Sequence, residues 1–419
     1  MNRTLAQSLT AATVDFDQLE NDYEPMLRLV RELIGVVPNC DPYLEIWPIG
    51  FRTYNLLVPN LLNLPASLVG QGAPKELLGL AMYSSSRAAG CMYCSAHTCS
   101  FALRRGLAPE VLVGENLNDT ERAVVALGEG LGRVPASLNS RVLTEVERHL
   151  SPEDVEWLVL GIGLMGFLNK FMDAMGIELE PEAIADVQDL ITQTGWSTGK
   201  HQWDDAQVVE SNGLPPQDSI RTYLRVFRQG PRAARIESKW TKGVSGRAGA
   251  ALMMLEEEIG YTFPVLASLH HRKPVKAIAT VLRDNLDPAR SAVGLTAKCF
   301  AGIVFARTVG NTMLLAELVQ LAQSTAPDVD TELLIEIDQF AASPSDGANM
   351  PYGLTSAEAA TIVLAKAAST SPSNVNEITI STVNQGLNAP QVIEIVVWLS
   401  VLQMMHRLYT YYDARLGII

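Results

Sequence analysis

Apolar residues return every three or four positions along nearly the whole chain, and strict alternation is almost absent. Stretches such as Glu121–Leu127 and Ser356–Leu364 place their Val, Leu, Ile and Ala on one side of a 3.6-residue turn, and each follows a Thr of the kind that caps a helix start. Only 6% of residues are aromatic, and Ala, Leu, Met and Glu fill the periodic stretches, a composition suited to helix packing rather than to sheets. The expected fold class is all-α.

Sliding the chain against itself gives an internal repeat. Leu117–Gly163 aligns without a gap on Leu354–Ser400, an offset of 237 that brings Pro135 onto Pro372, Leu150 onto Leu387 and Val155 onto Val392. Upstream the offset is 220, where Ser86–Gly90 meets Ala306–Gly310; an insertion of 17 residues within Gln323 to Gly353 reconciles the two. Matches in the same order on both sides of an insertion indicate two copies of one helical unit. Between them lie Gly195–Asp205 and Ser211–Pro216, rich in turn formers. The expected division is 1–195, a crossover over 196–245, and 246–419. Trp196 and Trp203 in the crossover predict a packed connection, because large aromatics in a loop dock on something.

The charge balance, 32 Lys and Arg against 46 Asp and Glu, gives −14 with no long basic run, which excludes a phosphate backbone as a partner. The start MNRTLAQSLT has no secretory apolar core, and the longest uncharged apolar run, Trp157–Leu168, falls short of the roughly 18–20 residues that cross a bilayer. The reading is a cytoplasmic protein with no membrane span. Five cysteines make no disulfide framework in a chain of this length.

Chemistry concentrates in Ala89–Cys99. Cys91 and Cys94 stand one helical turn apart, a spacing suited to a dithiol that is cyclically oxidised and reduced. A helix start and a nearby histidine both favour the reactive thiolate, which makes His97 the natural base. Zinc is the competing reading, but Cys91, Cys94, His97 and Cys99 within nine residues would point around one helix rather than at one ion. Inert buried thiols are the other alternative. Cys40 and Cys299 read as bystanders, and no metal or cofactor is called for; phosphate loops of the P-loop or dinucleotide type are missing.

The motif Gly90-Cys91-x-Tyr93-Cys94-x-Ala96-His97-Thr98 resembles the alkylhydroperoxidase (AhpD-like) branch of the carboxymuconolactone decarboxylase superfamily. Gly166–Leu179 is similar to that family's closing helix, and the likeness covers about Leu57–Glu180 and, more weakly, Ala277–Ile419. The resemblance implies an all-α bundle that forms a homo-oligomer, dimer or trimer. It also implies a peroxidase in which Cys94 attacks a hydroperoxide, Cys91 resolves the sulfenic acid as a disulfide, and an external lipoyl or thioredoxin-like dithiol restores both.

Three positions depart from the family pattern. Gly79 stands where the branch commonly has a glutamate, and Glu76, one turn earlier, is the candidate replacement. Tyr93 stands where some of its peroxidases carry a histidine. The branch commonly places its catalytic histidine where Thr98 stands, so His97 is turned by about 100° on a regular helix. In the second copy Asn311, Leu314 and Glu317 align with Cys91, Cys94 and His97, which leaves that half a structural role, packing where single-copy members use another subunit.

Two alternatives share these residues: acid–base chemistry on a lactone or β-keto acid through His97 and a carboxylate, and a non-catalytic protein whose dithiol switches assembly. His270-His271 reads as an exposed cationic turn, His201 and His406 as structural, and Met404, Met405, Leu408, Tyr411 and Tyr412 as core or subunit interface.

Overall fold

The computed structural model describes residues 3–202, 213–326, 329–344 and 349–416. These residues form helices and no strand, so the chain is all-α. The longer helices of the first half are α1 (Phe16–Ile34), α2 (Pro48–Leu61), α3 (Lys75–Ala88), α4 (Met92–Arg104), α5 (Asp119–Gly132), α6 (Ser140–His149) and α7 (Pro152–Met175). After the crossover come α8 (Ile220–Trp240), α9 (Ala248–Ile259), α10 (Arg272–Leu286), α11 (Leu295–Val309), α12 (Thr312–Thr325) and α13 (Thr331–Ala342). The last three are α14 (Ser356–Ser369), α15 (Glu377–Gly386) and α16 (Ala389–Leu416).

Local chemistry starts these helices. Asn118 and Glu121 close a capping box on α5, Thr355 and Glu358 close one on α14, and Asn139, Ser151 and Asn376 cap α6, α7 and α15. The starts of α3 and α4 precede those of α11 and α12 by 220 residues, and those of α5, α6 and α7 precede those of α14, α15 and α16 by 237. The insertion falls between α12 and α14, and α13 occupies it. Packing is reciprocal too: a Cβ on Gly90 would lie 3.1 Å from Pro372, and one on Gly310 would lie 3.8 Å from Pro135.

α7 and α16 run against each other through the centre. A Cβ at Gly166 would stand 2.8 Å from the Gln403 carbonyl, so only glycine lets the two backbones approach this closely. Both helices are long and apolar enough to cross a membrane, yet the most apolar windows of α7 and α16 are 94% and 100% buried inside the fold. The stripe Met404, Met405, Leu408, Tyr411 and Tyr412 is therefore core within one chain and not a subunit interface. The main hydrophobic cluster runs from Leu5 to Tyr412 and draws on residues before 195 and after 246, and a small second cluster joins Leu33, Leu68 and Val226. The crossover is also no plain linker: α8 lies within it and packs on α1, and Trp196 donates to the Met92 carbonyl at 2.9 Å. Trp203 lies outside the described residues.

Candidate active site

Gly90, at φ +69, breaks the chain between α3 and α4, and Cys91 caps the new helix. Its Sγ accepts the Cys94 N–H at 3.3 Å, the role Asn311 plays by accepting from Leu314 N at 2.9 Å on α12. Both thiols are free and buried. Cys94, but not Cys91, lines a cavity of about 70 Å³ enclosed by α1, α2, α4 and α7. Its walls are almost wholly apolar, including Val30, Leu33, Val58 and Met165, with Tyr54, Tyr93, His97 and Thr98 as the polar exceptions. A water needs roughly 10–15 Å³, so a molecule of a few heavy atoms fits beside Cys94.

His97 is held by a carboxylate that the sequence reading missed. Its Nε2 bonds Glu180 Oε2 at 2.8 Å, and the other oxygen, Oε1, accepts from Tyr93 Oη at 2.7 Å and from the Asn39 amide. Tyr93 also lies against the imidazole, with ring centroids 4.5 Å apart. Burial alone would raise the Glu180 pKa, but His97 and these hydrogen bonds hold it below the ordinary carboxylate value. An ionised carboxylate only accepts, so Nε2 is the ring nitrogen that donates to Glu180, while Nδ1 is buried without a protein partner.

Glu76, the sequence candidate for this role, stands in the first turn of α3 on the side of Gly106 and is not among the residues on His97 or the cavity. At Gly79 a Cβ would come within 2.8 Å of the Ala102 backbone: α3 and α4 touch there, so that position has no room for the glutamate side chain itself. The sequence signal for Glu180 lay one residue beyond the recognised closing segment, in Glu180-Pro181, where the glutamate takes the N-cap of the short helix Pro181–Ala185. Thr98, at the family's histidine position, donates to the Cys94 carbonyl at 2.6 Å and is committed to its own helix.

The charges around the thiols come from both halves. Burial pushes the Cys94 thiol well above its usual pKa, and the Cys91 sulfur adds to this, which overrides the lowering expected from the helix start and His97. The opposing charge is Arg407 on α16, fully buried, with Nη1 on the Ile162 carbonyl at 2.7 Å, Nε unpaired and no carboxylate within ion-pair distance among the described residues. Burial lowers the Arg407 pKa to about 9, and Cys94 and Cys91 are the groups that act to raise it. Lys170 on α7 gives its ammonium to the carbonyls of Ala368, Ser369 and Thr370 at the C-terminal end of α14, where a cation suits the helix dipole. Asp173 pairs with Lys200 at 3.0 Å. Asp41 is wholly buried with neither oxygen bonded, and burial followed by Glu180 and Glu45 drives its carboxyl upward.

The remaining candidates are structural. His201 Nδ1 bonds the Ile177 carbonyl at 2.7 Å, and His406 Nδ1 meets Asn311 Nδ2 at 2.9 Å. At His270-His271 both backbone amides and His270 Nδ1 converge on the buried carboxylate of Glu156. Glu317 accepts from Tyr261 Oη. Cys99 and Cys299 are buried away from the cavity, while Cys40 lies near enough to Cys94 for its charge to raise that thiol. Among the described residues no group of three or more His, Cys, Asp or Glu is placed to hold a metal ion.

No protein-family profile and no curated protein sequence matches the chain. Two solved structures of one protein do. The apo form of the debrominase Bmp8 is similar at 22% identity and a TM-score of 0.37, over 43% of this chain and 96% of that one. Its cysteine-to-alanine variant in complex with 2,3,4-tribromopyrrole is similar at 22% identity and a TM-score of 0.37, over 42% of this chain and 95% of that one.

Proposed function

We propose that the protein is a thiol-dependent peroxidase that reduces small apolar hydroperoxides at Cys94. The observation that carries this reading is the division of the two thiols. Cys94 faces the cavity beside His97, whereas Cys91 is held at the Cys94 amide and outside the cavity, as a resolving thiol should be.

In the first step the Cys94 proton passes to His97 Nδ1, and the thiolate attacks the terminal oxygen of ROOH. The O–O bond breaks, the leaving alkoxide takes the proton back from the imidazolium, and the products are ROH and a Cys94 sulfenic acid. Cys91 then attacks the Cys94 sulfur, the S–O bond breaks, and the hydroxide leaves as water with the Cys91 proton. An external dithiol reduces the disulfide. Because both sulfurs are buried, that reductant has to be slender, a lipoyl-type arm rather than a flat protein surface. Arg407 supplies the positive charge that offsets the burial of the thiolate.

Constant helix offsets and the Gly90–Pro372 and Gly310–Pro135 contacts support a tandem duplication, with the second half standing where single-copy relatives of the resembled family would place another subunit. The test is consumption of ethyl hydroperoxide, which has four heavy atoms, with dihydrolipoamide. Cys94→Ser should fall to the uncatalysed rate. Cys91→Ser should consume one equivalent and stop with a trappable sulfenic acid. Turnover by Cys94→Ser within threefold of the wild type sinks the reading.

A further inference from the structure

A second, larger cavity of about 500 Å³ opens between α1, α2, α8 and the start of α10. It shares Val30, Leu33 and Val58 with the cavity at Cys94, so one layer of side chains is the partition between them. Its inner walls are apolar and its size lies within the range of small-molecule sites.

The mouth carries Lys273 and Lys276. Both lie near the N-terminal end of α10, which begins at Arg272 and has no acidic residue in its first turn. Cations are disfavoured at that end of a helix, so the two lysines add to the positive potential of the helix start, opposed in the cavity wall by Glu237 alone. Lys273 reaches only the Leu64 carbonyl, at 3.5 Å, and no ion pair of either lysine is found among the described residues. Glu237 accepts from Asn60 at 3.0 Å, and burial raises its pKa against the pull of Asn60, Lys276 and Lys273; one carboxylate thus stands against two ammonium groups.

We infer that this cavity binds a long-chain carboxylate, its head group at Lys273 and Lys276 and its chain running toward the Val30, Leu33 and Val58 partition. The proximity of that chain to the reacting thiol rests on the peroxidase reading; the binding site itself does not.

Titration calorimetry of the reduced wild-type protein with decanoate tests it. Binding is expected to tighten by about threefold to fourfold per added methylene until the cavity is filled. It should weaken at least tenfold in K273E/K276E, and at least tenfold when decanol or decyltrimethylammonium replaces decanoate. Gly230→Phe should abolish it with the far-UV spectrum intact, because a Cβ at Gly230 meets nothing within 4 Å and the larger ring fills the space. Decanoate that fails to bind the wild type, or that binds K273E/K276E or Gly230→Phe as tightly, overturns the inference. Tighter binding of the cationic amphiphile does the same. None of these readouts depends on turnover, so a failure of the peroxidase assay leaves them separate.

Discussion

At the level of single residues, the site rests on how a buried thiol, an imidazole and two charges share one small space. Glu180→Gln keeps the shape but removes the charge that holds the His97 tautomer. General acid–base assistance is typically worth about 10²–10⁴-fold, so kcat/KM for peroxide is expected to fall by about 10²-fold or more while Cys94 stays alkylatable. Steady-state kinetics alongside an iodoacetamide count checks this. Arg407→Met removes the guanidinium without opening a void. Since a nearby cation favours the thiolate, its loss should move the pH midpoint of Cys94 alkylation upward, by a unit or more. An unchanged midpoint would show that Arg407 serves packing alone. Of these residues, the dithiol and His97 were legible in sequence because they are neighbours on one helix. Glu180 and Arg407 come from 83 residues downstream of His97 and from the other half of the chain, and helical periodicity carries no information on such distant pairings.

Between elements, the close approach of α3 and α4 decides where carboxylates can reach. Gly79→Ala would gain up to about 1 kcal/mol of helix propensity, but its Cβ would press on the Ala102 backbone, and overpacking of this kind costs about 1–3 kcal/mol. Net destabilisation is expected, read as a lower urea midpoint. Gly230→Ala, in the interior of α8 with open space around it, is the matched control and should raise the midpoint. Thr355 caps α14 as read from the sequence, whereas α5 begins before Thr120 and is capped by Asn118; the offsets of 220 and 237 read from the sequence recur in the helix starts themselves. The crossover carries α8, whose polar, arginine-rich face hides its apolar side in sequence and which packs on α1.

For the whole molecule, the decisive fact is that α7 and α16 pack together at the centre of the main hydrophobic cluster. A chain ending at residue 245 would leave the α16-facing side of α7 bare, and it is expected to aggregate or self-associate, which size-exclusion chromatography would report. Burial lowers the His406 pKa to about 3, with Arg407 and Lys170 adding to the effect. The unfolded chain takes up that proton near pH 6.5 and the folded chain does not, so stability is fully present above about pH 6.5 and falls as the pH drops toward 3. At pH 5 the loss from this one group is about 2 kcal/mol. Thermal melts from pH 7.5 to 5 should show a falling Tm, with a shallower slope in His406→Gln, whose side-chain oxygen can still accept from Asn311.

What the sequence determined unaided is what depends on near neighbours: the all-α class, the helix starts, the repeat offsets and the placement of Cys91, Cys94 and His97 on one helix. The tertiary structure alone decided which thiol faces the cavity, which carboxylate holds the imidazole, and that the last helix is core rather than interface. Those outcomes depend on how two long helices pack across the whole chain, where Gly166 admits a backbone and Gly79 excludes a side chain. Close packing of that kind is set by three-dimensional contact and leaves no period in the sequence.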